Sequence, residues 1–135
     1  MTISISKLRG MNQALADKLK KSGISQSDKL LEAAATPAGR KRLAADTSTR
    51  ERDILELANR ADLARIKGVA GVFGDLLEQA GVDTVKELAT RRPDNLHTKM
   101  CEVNTQHKVA GRAPTLGEIE SWVAEAKRIG GKLQY

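Results

Sequence analysis

An internal repeat is the feature of this sequence that most constrains its fold. When the chain is shifted by 58 residues against itself, nine apolar or glycine positions align without a gap. The aligned positions are Ile5, Leu8, Gly10, Met11, Leu15, Leu19, Gly23, Ile24 and Leu30 in the first copy, and Leu63, Ile66, Gly68, Val69, Phe73, Leu77, Gly81, Val82 and Leu88 in the second. Such repetition predicts two similar units of short helical segments. We place them at residues 1–62 and 63–131, followed by a frayed tail at 132–135.

The local sequence predicts helices in both units. Period-two alternation is scarce, whereas Ala, Leu, Lys, Glu and Arg, which favour helices, are abundant. Capping residues predict helix starts at Thr36-Pro37, at Ser48 (or Thr47) with Glu51, at Pro93, and at Thr115 with Glu118. The helix after Ser48 is expected to run to about Arg60, and the last helix to end at Gly130-Gly131. The predicted fold class is all-α.

Apolar residues that recur at matched places predict the core. Leu57 and Ala61 of the helix that closes the first unit correspond to Trp122 and Ala126 of the last helix. The predicted core residues are Leu8, Leu15, Leu19, Leu30, Leu57, Ile66, Phe73, Leu77, Leu88 and Trp122. An indole can also stack on a nucleic-acid base, but the place of Trp122 on an apolar helix face favours core packing.

Each copy contains a glycine flanked by a cation and an apolar residue. The two segments read Leu8-Arg9-Gly10-Met11-Asn12 and Ile66-Lys67-Gly68-Val69-Ala70-Gly71. Glycine permits a tight turn between two helices, and the second helix then begins with unpaired backbone amides. These amides and the positive end of the helix dipole favour a phosphate oxygen. Such a contact holds the nucleic-acid backbone without reading its sequence.

This pattern resembles the helix-hairpin-helix motif, whose turn usually reads Gly-apolar-Gly. The second glycine is replaced here by Asn12 in the first copy and by Ala70 in the second, where Gly71 follows one place later. Over almost its full length the chain also resembles a bacterial family, domain-of-unknown-function family 4332, with tandem helix-hairpin-helix units. The resemblance implies two tandem helix-hairpin-helix repeats packed as one compact helical unit, and it implies DNA binding. It also allows a monovalent cation at a hairpin; we expect no other cofactor.

The distribution of charge favours a polyanionic partner. The net charge of the chain is +6, and residues 1–42 carry all of it, with nine Lys and Arg against three acids. We therefore predict contact with duplex DNA through Arg9, Gly10, Met11, Asn12, Lys21, Arg40, Lys67, Gly68, Val69, Ala70 and Gly71. Other cations that either extend this track or only face solvent are Lys18, Lys20, Lys41 and Arg42.

Other features of the sequence allow or exclude further functions. Helix-hairpin-helix turns also serve as packing units, so a scaffold or adaptor that binds another protein is the alternative. His97, Cys101 and His107 allow a soft-metal site or purely structural roles. The sequence contains no recognisable catalytic motif, so we expect a non-enzyme without a small-molecule substrate. The N-terminus lacks the pattern of a leader, and no run approaches the ~18 apolar residues of a membrane span, so we expect a cytoplasmic protein without a membrane partner.

Overall fold

The structure, a computed structural model, describes residues 2–135 and contains eight α-helices, one short 3-10 helix and no β-strand in that range. The first half contains the 3-10 helix Ile5–Lys7 and the helices α1 (Gln13–Lys21), α2 (Ser27–Ala33), α3 (Pro37–Thr47) and α4 (Glu51–Leu63). The second half contains α5 (Val72–Gln79), α6 (Val85–Ala89), α7 (Pro93–His107) and α8 (Leu116–Ile129). The predicted all-α fold class is confirmed, and its assignment as tandem helix-hairpin-helix repeats stays a prediction.

Three of the four predicted helix starts are confirmed, two of them by side-chain caps, while α7 begins at the predicted Pro93 without one. The Thr36 side chain accepts the N–H of Gly39 at 3.1 Å, and Pro37 occupies the first turn of α3. Thr115 and Glu118 form the predicted capping box of α8. The last helix ends at Ile129, before Gly130, where a positive φ of 69° breaks the helix.

The predicted cap of α4 is wrong. This helix begins at Glu51 with Arg50 as its N-cap, no side chain caps it, and it continues past Arg60 to Leu63. Thr47 instead ends α3, where its hydroxyl donates to the carbonyl of Leu43 at 2.7 Å. Ser48 follows in the left-handed conformation. A threonine whose hydroxyl is bonded back into one helix is not available to cap the next one.

The core consists of two apolar clusters, one in each half. The first extends from Ile5 to Ala61 and the second from Leu63 to Ala126. Equivalent helices pack in both halves: α2 and α3 contact α4, and α6 and α7 contact α8. All predicted core residues are buried except Phe73, which is only partly buried at the edge of the second cluster. Its ring lies 5.5 Å from that of the buried Trp122, between centroids, and the Arg112 guanidinium covers it at 5.2 Å.

The C-terminal residues are docked on the first half, so their predicted fraying is wrong. Leu133 packs against the first cluster, and the N–H of Gln134 donates to the carbonyl of Ala35 at 2.7 Å. The Tyr135 hydroxyl donates to the side-chain oxygen of Asn59 at 3.2 Å. These partners are distant in sequence, and so a local pattern did not indicate them. None of the helices within residues 2–135 is long and apolar enough to cross a membrane.

Candidate functional site

Two glycine turns with the same backbone geometry precede α1 and α5. The φ angle is 90° at Gly10 and 89° at Gly68, a region that residues with a side chain rarely adopt. In each turn the residue after the glycine donates its N–H to the carbonyl two residues before the glycine, at 3.1 Å in the first turn and 3.2 Å in the second. The sequence repeat is therefore also a repeat of local structure.

Each turn glycine lies over a core side chain. A Cβ atom at Gly10 would lie 3.7 Å from Leu57, and one at Gly68 would lie 3.4 Å from the indole nitrogen of Trp122. Leu57 and Trp122 were matched by their places in the helices that close the two units, and the structure places both beneath equivalent turns. A positive φ and a close neighbour thus both favour glycine at Gly68, and a positive φ alone does so at Gly10.

The helix that follows the second turn begins with free backbone donors. Gly71 is the N-cap of α5, has a φ of 84° and offers no side-chain acceptor. Within residues 2–135, the N–H groups of Val72, Phe73 and Gly74 have no hydrogen-bond acceptor. The start of α5 is therefore a cluster of unpaired donors at the positive end of a helix dipole.

The first turn leaves fewer donors. Asn12 is the N-cap of α1, and its side-chain oxygen accepts the N–H of Leu15 at 2.8 Å. The N–H groups of Gln13 and Ala14 have no acceptor in the described part of the chain. An asparagine at this position hence satisfies one of the donors that the sequence analysis assigned to phosphate.

The cations that precede the two glycines are exposed, and one of them links the two halves. Arg9 has a side chain that is 75% exposed, and its Nη1 lies 3.4 Å from Oδ2 of Asp75 in the first turn of α5. Lys67 is exposed. Because Arg9 reaches α5, the first turn lies beside the start of the helix that the second turn introduces.

A buried arginine lies beneath this contact. Arg60 of α4 is 8% exposed; its Nη2 pairs with Oδ1 of Asp75, and its Nη1 is 3.6 Å from Oε2 of Glu78. Burial lowers the pKa of the Arg60 guanidinium, the charge of Glu78 opposes this shift, and the charge of Arg9 adds to it. Arginine nevertheless stays protonated at neutral pH. A Cβ atom at Gly74 would lie 2.7 Å from the carbonyl oxygen of Val69 and 3.2 Å from Nη1 of Arg60, so glycine makes room first for the Val69 backbone and also for this guanidinium.

Between the two turns lies a cleft of about 220 Å³. The first turn contributes Lys7 and Arg9 to its wall, the start of α5 contributes Gly71 and Asp75, and α4 contributes Arg60. Sequence reasoning missed Arg60 and Asp75, because neither belongs to the repeated apolar pattern. The small residue at Gly74 was a signal of close approach, but it did not indicate which group approaches.

Comparison with known families relates this geometry to a wider group of proteins. The family described as Domain of unknown function (DUF4332) has a model that matches residues 9–129, which include both glycine turns and all eight α-helices. The chain belongs to this family. No solved structure matches the chain. The DUF4332 match thus shows the family and assigns no function.

The remaining predicted contact residues of this DUF4332 chain lie in different settings. Lys21 is exposed at the end of α1, Met11 is half-buried, and Val69 is fully buried. Arg40 is 6% exposed and serves the fold: its Nη1 donates to the carbonyl of Ala34 at 3.0 Å and its Nη2 to that of Gln134 at 2.7 Å. We therefore leave the Val69 and Arg40 side chains out of the proposed contact surface.

The other predicted contact residues, Gly10, Asn12, Gly68, Ala70 and Gly71, are all exposed. Two cations of the wider basic set make local contacts instead of facing solvent alone. Lys18 Nζ donates to the carbonyl of Thr47 at 3.0 Å, and Lys20 Nζ to the hydroxyl of Ser6 at 3.3 Å. Lys20 thereby lies next to the 3-10 helix that leads into the first turn.

The possible soft-metal site contains only one close pair. Cys101 Sγ lies 3.5 Å from Nε2 of His97, both on α7, whereas His107 stands at the end of that helix. Among the described residues, no three or more His, Cys, Asp or Glu side chains are grouped so that they could hold a metal ion. The structure therefore does not bring the three predicted ligands together.

Proposed function

We propose that this protein is a non-enzymatic module that binds the phosphate backbone of duplex DNA with little dependence on base sequence. The observation that supports this proposal is the repeated turn: an exposed cation (Arg9 or Lys67), a glycine with positive φ, and a helix start with free amides. Cationic and backbone donors that converge in this way suit phosphate oxygens. The proposal includes the helix-hairpin-helix assignment, a bacterial origin, a cytoplasmic location and no cofactor except a monovalent cation at a hairpin.

The relative position of the two turns strengthens the proposal. Because Arg9 contacts Asp75 at the start of α5, both turns border one cleft. A phosphate backbone at this cleft can meet Arg9 and the amides at the start of α5, whereas Lys67 lines a separate groove beside Trp122 and Arg128. The net charge of +6 adds attraction that is independent of DNA sequence.

A protein scaffold is the second candidate, and two observations favour it. The turn glycines are already explained by the fold, because of their positive φ and the closeness of Trp122 to Gly68. In addition, Val72 is 48% exposed next to Phe73 and Arg112, which gives the second turn a partly apolar surface. In this alternative the turns have a purely structural role, and the binding partner is another protein.

A salt titration of DNA binding separates the two candidates. We expect Arg9→Ala and Lys67→Ala each to weaken binding of a fluorescent duplex by a similar factor for two unrelated sequences. Each variant should also lower the slope of log K against log salt by about one, because one phosphate contact is lost. Fluorescence anisotropy measures both quantities.

Lys99→Ala is the matched control, since it removes one charge from an exposed position on α7 that lines neither the cleft nor the groove beside Lys67. We expect it to change affinity and salt slope less than either turn variant does. Failure of the parent protein to bind at low salt, or equal behaviour of all three folded variants, would overturn the DNA proposal and favour the scaffold.

A further inference from the structure

The cleft between the two turns is recessed and cationic. Three cationic side chains line it, those of Lys7, Arg9 and Arg60, against the single carboxylate of Asp75. Glu78 lies just outside, with its carboxylate 3.6 Å from Nη1 of Arg60 and its side chain 57% exposed. Even when Glu78 is counted, cations exceed anions at this point, which favours an anionic ligand.

Two independent sets of donors meet at the cleft. The eight-residue helix α5 begins there with the three free N–H groups of Val72, Phe73 and Gly74. Beneath them, Nη1 of the 8%-exposed Arg60 is buried and, like Oδ1 of Asp75, has no hydrogen-bond partner in residues 2–135; the nearest carboxylate oxygen to Nη1 is Oε2 of Glu78 at 3.6 Å. A buried charged donor without an acceptor is unfavourable and is seldom left so in proteins without a reason. An anion in the cleft supplies the acceptor that Nη1 lacks once the exposed Glu78 side chain moves aside.

The shape of the cleft selects among phosphates. An internal phosphodiester carries one charge and is held between two sugars, so it stays at the surface, where Arg9 and Lys67 are exposed. A terminal phosphate monoester has one ester bond and nearly two charges at neutral pH. It can therefore enter a recess whose floor is a buried arginine.

We propose that this cleft binds the terminal phosphate monoester of a DNA strand, an assignment that rests on the proposed DNA-binding function and narrows its target to strand ends. The entering phosphate accepts hydrogen bonds from the α5 amides. Arg9 then pairs with the phosphate instead of Asp75, while Asp75 keeps its ion pair with Arg60. The carboxylate of Asp75 thus repels the anion, whereas the cationic side chains of Lys7 and Arg9, which also line the cleft, attract it.

The experiment compares three forms of one duplex by anisotropy: linear with a 5′-phosphate, linear with a 5′-hydroxyl, and closed at both ends by loops. We expect the 5′-phosphate form to bind about tenfold more tightly than the 5′-hydroxyl form, the gain of one or two hydrogen bonds to charged groups. Lys7→Ala should reduce this ratio towards one. Lys99→Ala, which removes the same charge elsewhere, should leave the ratio unchanged.

Asp75→Asn provides a test that misfolding cannot imitate. Because this substitution removes the opposing charge and retains the shape of the side chain, we expect the preference for the 5′-phosphate to rise. Circular dichroism confirms the fold of each variant. Inorganic phosphate, added at constant ionic strength, should reduce the preference for the 5′-phosphate form.

The outcomes separate this proposal from the function on which it rests. If the folded parent binds the 5′-phosphate and 5′-hydroxyl duplexes equally well and still binds the closed duplex, the strand-end site is overturned and the backbone proposal stands. Absence of binding to every form overturns both. If inorganic phosphate binds the cleft more tightly than the strand end does, the ligand is free phosphate and the strand-end assignment is wrong. An unchanged ratio in both Lys7→Ala and Asp75→Asn places the end contact outside this cleft.

Discussion

Replacement of Arg40 by alanine tests whether this arginine supports the fold or contacts DNA. The side chain extends from α3 and is 6% exposed, and it donates to the carbonyls of Ala34 and Gln134 at 3.0 and 2.7 Å. Its guanidinium also lies 5.7 Å from the centre of the Tyr135 ring. It therefore joins the first half to the last residues of the chain.

The expected loss follows from these contacts. Each hydrogen bond to a charged group contributes about 1.5–3 kcal/mol to the free energy of unfolding, and Arg40→Ala removes two such bonds. Because the bond to Gln134 is only partly buried, we expect a loss of about 2–4 kcal/mol in the free energy of unfolding. In a chain of this length each kcal/mol corresponds to a fall of roughly 3–5 °C in Tm.

Urea denaturation and thermal melting measure this loss, and two further chains identify its cause. Arg42→Ala is the control on the same helix; its side chain is exposed, so we expect a change within about 0.5 kcal/mol. In a chain that ends at Leu133, Arg40→Ala should cost about half as much, because the Gln134 acceptor is already absent.

The folded Arg40→Ala protein should bind duplex DNA like its parent. A stability change below about 0.5 kcal/mol together with weakened DNA binding would refute the reasoning, because it would place Arg40 at the surface. Equal losses in the full and shortened chains would instead show that the C-terminal residues do not act through Arg40.

Two further predictions concern the second half. Phe73→Ala should cost about 1–2 kcal/mol in unfolding free energy, and Leu77→Ala about 2–5 kcal/mol, because Phe73 is only partly buried and Leu77 is fully buried; equal losses in urea denaturation would place Phe73 in the core. Hydrogen bonds from Arg112 and from the Thr115 backbone lower the pKa of Glu118 from 4.5 to about 2. The stabilisation by Glu118 is therefore complete above its unfolded-state pKa and is lost as the pH falls towards about 2. Glu118→Gln should remove this part of the acid dependence, and a carboxyl NMR titration that gives a pKa near 4.5 for Glu118 would contradict the capping role.

Features that depend on neighbours in sequence were predictable. The positive φ at Gly10 and Gly68, the cap at Thr36 and the capping box at Thr115 follow from the short-range steric and hydrogen-bonding properties of these residues. The pairing of Leu57 with Trp122 came from the repeat and was sufficient to place both under equivalent turns. The cap assigned to Thr47 and Ser48 failed because the hydroxyl of Thr47 had a second acceptor within reach, in the preceding helix.

The burial and the partners of individual charged side chains depend on the tertiary structure. By sequence, Arg9 and Arg40 are both cations of a basic segment, yet one is exposed at a turn and the other is buried against the C-terminal residues. The cleft likewise combines Arg9, Arg60 and Asp75, which come from three separate segments of the chain.

By itself, the sequence determined the helices, the two glycine turns and the division of apolar residues between two similar clusters, because periodicity and capping act over a few residues. Only the tertiary structure decided which cations remain exposed, which donors stay unpaired and where the two turns meet. The physical reason is that burial and ion pairing depend on distances between segments, and local sequence does not encode those distances.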